Sequence, residues 1–104
     1  MYTLETKTLL FSLDEKGNVC SLIRRENGRE YIKKAGEMWR LIYSEGIRTE
    51  RPVYAAHQRC RIEKGTDTLT LYYDTLQSDD RELDISLILQ FAAKGEYLSV
   101  TARI

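Results

Sequence analysis

From Leu83 to Phe91 the chain sets an apolar residue at every second position: Leu83, Ile85, Leu87, Leu89 and Phe91. That two-residue period belongs to a pleated strand with one buried face and does not fit the 3.6-residue turn of a helix. The same alternation recurs along the chain. Leu9, Phe11 and Leu13 share a parity, as do Cys20 and Leu22 in the run Val19 to Arg24. So do Leu69, Leu71 and Tyr73, and then Leu98, Val100, Ala102 and Ile104. No window of about 11 residues or more fits an amphipathic helix better than a strand.

Short polar stretches, each holding a glycine, separate these runs. Asp14 to Asn18, Glu26-Asn27-Gly28, Lys64 to Asp67 and Lys94-Gly95-Glu96 have the chemistry of hairpin turns. Glu30 to Lys33 is expected to be a short strand, and Arg59 to Glu63 to pair with Thr68 to Asp74. In MWRLIYS, Trp39, Leu41 and Tyr43 fall on one side and Met38 and Ile42 on the other. That predicts a strand covered on both faces. Residues 45–52, which hold the single proline, are expected to form the longest surface connection.

Strands that are apolar on one face need a second layer to cover it. The predicted fold is therefore all-β: an antiparallel β-sandwich built from successive hairpins, with residues 1–104 as a single domain. The last strand still runs at Ile104, with no closing turn or helix after it. That leads us to expect a portion of a larger sandwich, the N-terminal fragment of a longer protein.

Sixteen basic residues balance sixteen acidic ones. A nucleic-acid backbone calls for a basic excess or a continuous basic stripe, and Arg59 and Arg61 are followed at once by Glu63, so no nucleic-acid partner is expected. No stretch approaches the roughly 20 apolar residues that span a bilayer, and the N-terminus lacks the basic start and apolar run of a signal peptide. Cys20 and Cys60 each share the parity of an apolar neighbour, Leu22 and Ile62. Two small buried thiols are the favoured expectation, with a disulfide between adjacent strands left open.

Residues able to carry chemistry are sparse. His57 is the single histidine. At strand spacing it points away from Cys60, so a structural or solvent-facing role is expected. Asp74, Asp79, Asp80, Glu82 and Asp84 crowd one region. A glycosidase needs two carboxylates facing each other about 5 to 10 Å apart, and calcium needs six to eight oxygens. The spacing matches no EF-hand loop, and a solvated hairpin tip accounts for the charges better. The glycines form no phosphate-cradling run. No catalytic residue, metal ligand or cofactor is predicted.

The seven tyrosines and single tryptophan are the most informative residues left. Tyr and Trp offer a flat apolar face with a polar edge, suited to stacking on a sugar ring. They also favour strands, which is reason enough for most of them to be there. Tyr72 and Tyr73 are adjacent and point to opposite faces, so at least one leaves the core. Tyr31 and Tyr54 lie near loops. Tyr54 and Tyr72 are the candidate ligand-binding residues.

The run FSLDEKGNVCSLIRRENGREYI has the form strand, Gly-x-apolar-x-Ser-Leu, then Gly-x-Glu-x-apolar. Gly17, Val19, Ser21 and Leu22 carry the first half; Gly28, Glu30 and Ile32 carry the second. It resembles the opening of the galactose-mutarotase-like supersandwich domains that precede the catalytic domain in bacterial glycoside hydrolases. The likeness extends over the chain in strand order, and over about the first 45 residues in recognisable positions.

The resemblance implies a non-catalytic accessory sandwich of a carbohydrate-active enzyme. It implies contact with a catalytic domain of the same longer chain, contact with glycan, and a periplasmic or secreted setting. The epimerisation chemistry of that fold uses histidines and an acid, for which His57 alone does not suffice. Two alternatives stand beside it: an independent carbohydrate-binding module, and a structural sandwich that self-associates into a homodimer through open strand edges.

Overall fold

The structure, a computed structural model, describes residues 1–44, 50–78 and 81–104, with the backbone alone at 43–44 and 50–52. Strands β1 (Tyr2–Glu5), β2 (Leu9–Leu13), β3 (Val19–Arg24) and β4 (Arg29–Glu30) form one antiparallel sheet in chain order. Strands β5 (Arg40–Ser44) and β6 (Glu50–Tyr54) form a separate hairpin. A second four-stranded sheet follows in chain order, from β7 (Arg61–Lys64) through β8 (Thr68–Tyr73) and β9 (Leu87–Lys94) to β10 (Tyr97–Arg103). The described chain is an all-β, antiparallel sandwich. Its helical content is one 3-10 turn at Ala55–His57.

The alternating apolar faces meet as the periodicity demands. Leu4, Phe11 and Leu13 of the first sheet join Leu69, Leu71, Tyr73, Leu87, Leu89 and Phe91 of the second in one core. The Phe11 and Phe91 rings stack across the layers with centroids 5.1 Å apart. At one end the turn between β1 and β2 clips the tip of the β9–β10 hairpin. Lys7 N–H donates to the Gly95 carbonyl at 2.9 Å, and the Thr8 hydroxyl donates to the Glu96 carbonyl at 2.8 Å.

Several local expectations are corrected. The long strand begins at Leu87 rather than Leu83, because the segment before it folds back on itself. Leu83 N–H donates to the Leu76 carbonyl and Leu76 N–H to the Ile85 carbonyl, at 2.8 and 3.0 Å. Leu76 and Leu83 are nonetheless buried, so the apolar alternation reports the core and not the ladder. Pro52 belongs to β6, opposite Ile42. Both strands of a two-stranded ribbon are edges, where a missing N–H is tolerated. The rest of the expected connection, residues 45–49, lies outside the described residues.

Ile42 is 58% exposed, so the strand carrying it is covered on one face only. Strand β1 escapes the periodicity, and the expected strand at Glu30 to Lys33 shortens to Arg29–Glu30. Between β2 and β3, Ser12 faces Ser21 but Leu13 faces Val19. Cys20 is thus an extra, bulged residue. Val19 packs on the core in its place, and Cys20 instead turns its thiol to the Asn18 carbonyl at 3.7 Å.

The turn between β2 and β3 is organised by Asp14. Its Oδ1 accepts from the Lys16 and Asn18 backbone N–H groups, both at 2.9 Å, and its Oδ2 from Asn18 Nδ2 at 3.0 Å. Partial burial pushes the carboxyl up, but the bonds from Asn18 and Lys16 together outweigh it and hold it below 3.8. A depressed folded-state value means stabilisation that is present above the unfolded pKa and lost as pH falls through the folded one. Asp14→Ala is expected to cost about 1–3 kcal/mol at pH 7. The loss should shrink as pH falls through the lowered range in which this carboxyl protonates, as measured by urea denaturation across pH.

Candidate functional site

The structure gathers three of the groups weighed for chemistry. His57, Asp74 and Glu82 line one open hollow of about 520 Å³, together with Arg59, Thr75 and Gln77. His57 sits in the 3-10 turn, so strand parity does not set its direction; its ring lies edge-on to Tyr54, with centroids 5.4 Å apart. The hollow's wall is held by Gln58, whose amide spans two segments. Its Nε2 donates to the Tyr54 and Gln77 carbonyls at 3.1 and 2.8 Å, while its Oε1 accepts from Gln77 N–H at 2.6 Å. Both carboxylates and the imidazole are exposed in an open hollow. Among the described residues no three His, Cys, Asp or Glu side chains converge as metal ligands. Asp79 and Asp80 lie outside the described residues.

The two candidate sugar-stacking tyrosines already have partners. Tyr72, half-buried on the outer face of the second sheet, stands opposite Arg61, whose guanidinium lies 4.2 Å from the ring centroid. Tyr54 stands opposite Arg40, at 4.4 Å. Each is a cation–π pair across neighbouring strands. Tyr73, the other half of the Tyr72-Tyr73 pair, is in the core, as adjacency required. Tyr31 is 44% exposed and lines an open groove with Lys7, Thr8, Arg24 and Glu26.

Cys60 and Tyr73 form a partly buried polar knot beneath the Gly17 turn. A Cβ on Gly17 would lie 3.0 Å from the Tyr73 hydroxyl and 3.1 Å from the Cys60 sulfur. Burial pushes the Tyr73 hydroxyl up to about 12. The Trp39 ring meets Tyr73 edge-on at 5.0 Å, and its buried Nε1 closes no hydrogen bond of good geometry. Burial also pushes the Cys60 thiol above 9.0, outweighing a hydrogen bond from Tyr73 that favours the thiolate. Both cysteines are free and half-buried. A raised pKa makes a poor nucleophile. In a Cys20→Ser variant, Cys60 should react with an aromatic disulfide at pH 8 at least about tenfold slower than in denaturant; equal rates would contradict a thiol held back by burial.

The largest departure from a closed sandwich is along β10. Val100 pairs with Phe91 and Ala102 with Leu89, so both lie on the core-facing side of the sheet. Phe91 and Leu89 are 2% and 6% exposed, yet Val100 is 56% exposed and Ile104 79%. The first sheet covers β9 but not the far half of β10. An apolar crevice of about 160 Å³ opens there, walled by Trp39, Leu41, Leu76, Leu87 and Ala102. Sequence periodicity marks these residues as inward-facing; it carries no signal that they stand exposed among the described residues.

No family model matches the chain, and neither does any curated protein or solved structure.

Proposed function

We propose that this chain is a non-catalytic β-sandwich module that works through a protein contact along β10. It is of the accessory kind that supports the catalytic domain in carbohydrate-active enzymes. The observation that supports a contact along β10 is the open core: Val100, Ala102 and Ile104 continue the apolar face of Leu89 and Phe91 into solvent. An exposed apolar strip contiguous with the core is characteristic of a surface completed by another polypeptide. The acidic hollow at His57, by contrast, is open and solvated.

An independent glycan-binding module is the second reading, favoured by one observation: Tyr31 stands exposed in a groove with charged and hydroxyl neighbours. Retention on insoluble cellulose, chitin, xylan and starch separates the two, with sugar release from soluble glycans measured in parallel. The support-module reading expects neither retention nor release. Retention that is lost in Tyr31→Ala, Tyr54→Ala or Tyr72→Ala would overturn it in favour of a binding module. Sugar release abolished by Asp74→Asn or Glu82→Gln would overturn it in favour of an enzyme.

A further inference from the structure

We propose that β10 pairs antiparallel with β10 of a second copy of this chain, about a two-fold axis through Val100, joining the two four-stranded sheets into one. This rests on β10 being a protein contact and names the partner.

Three observations converge on it. The first is the direction of the backbone groups. Ala93 N–H donates to the Asp67 carbonyl, so odd-numbered residues of β9 bond towards β8 and even-numbered ones towards β10. With Lys94 opposite Tyr97 and Gln90 opposite Thr101, the residues Tyr97, Ser99, Thr101 and Arg103 use their backbone groups on β9. Leu98, Val100 and Ala102 turn theirs outward, and among the described residues none bonds to them. Pairing centred on Val100 sets Leu98 opposite the second copy's Ala102 and Val100 opposite the second copy's Val100. These are the residues with free groups on both strands.

The second observation is side-chain complementarity in that same register. On the outer face, Tyr97 meets the second copy's Arg103, and Ser99 meets Thr101. The chain already builds cross-strand Arg–Tyr pairs twice, at Arg40–Tyr54 and Arg61–Tyr72. Tyr97 is 75% exposed, and among the described residues no guanidinium lies over its ring. On the inner face Leu98, Val100 and Ala102 meet their own kind, which extends the core of one molecule into the next.

The third is the contrast between edges. An edge strand is kept from pairing by charge, shortness, proline or a bulge. Strand β7 carries Arg61, Glu63 and Lys64 among its four residues, and β4 is two residues long. Strand β10 has seven residues, one charge, no proline and an unbroken register with β9.

Sedimentation equilibrium of the full chain, from about 5 to about 500 µM, tests this in the range of a modest two-strand interface. The weight-average mass should climb from 12.1 kDa towards twice that value. Val100→Pro deletes an N–H that faces outward and so removes no internal bond. It should stay monomeric with an unchanged circular dichroism spectrum. Tyr97→Lys sets a lysine against the second copy's Arg103 and should weaken the dimer at least about threefold. Adding Arg103→Glu to Tyr97→Lys should restore it.

A wild-type chain that remains a monomer at the highest concentration overturns the inference. So does a dimer that survives Val100→Pro, or a double variant no tighter than Tyr97→Lys. Glycan retention bears instead on the support-module reading, so the two can fail separately.

Discussion

Phe91→Ala is expected to lower stability by about 3–5 kcal/mol. Phe91 is 2% exposed and stacks on Phe11 of the opposite sheet. It joins the two layers as well as filling volume. A domain of this size has about 5–15 kcal/mol in total, so the variant should lose a large share of it. The melting temperature should fall by at least about 12 °C. Phe91→Leu keeps most of the volume and should cost less than half as much. A loss below about 1 kcal/mol for the alanine variant would mean that the layers do not pack through this pair.

The second large effect is expected at Gly17. Its φ is +84°, and an added Cβ would lie 3.0 to 3.1 Å from the Tyr73 hydroxyl, the Cys60 sulfur and Leu71 Cδ2. Gly17→Ala therefore combines left-handed strain of about 1–2 kcal/mol with overpacking of about 1–3 kcal/mol. Gly28 separates the two contributions. Its φ is +70°, and a Cβ added there would meet nothing within 4 Å, so Gly28→Ala should show the strain alone. Chemical denaturation of both variants reads the difference directly. Equal losses would contradict the close approach of the Gly17 turn to the knot beneath it.

The core is legible in the sequence because burial follows side-chain parity. Leu69, Leu71, Tyr73, Leu87, Leu89 and Phe91 are inward-facing in the sequence and buried in the fold. What parity does not record is the ladder. The bulge at Cys20 exchanges that residue for Val19 on the core, although Cys20 has the parity of Leu22. Leu83 keeps the strand rhythm while its backbone bonds to Leu76. Strand spacing gives His57 a direction, and a single 3-10 turn removes the premise. That one of Tyr72 and Tyr73 leaves the core is legible from their adjacency, but the guanidinium partners of Tyr54 and Tyr72 arise from strand register, which hairpin loop lengths alone do not specify. The open face at β10 is the least legible feature, since a residue's parity says which way it points and not what lies there.

Amide hydrogen exchange along β10, followed by NMR at low and high protein concentration, reads the pairing of this edge residue by residue. Alternation is expected at low concentration: Ser99 and Thr101 N–H groups protected by β9, with Leu98, Val100 and Ala102 exchanging freely. At high concentration those three should become protected as the second copy's strand takes them up. Protection of Leu98, Val100 and Ala102 that is already present in dilute solution, or free exchange that persists in concentrated solution, would contradict this pairing.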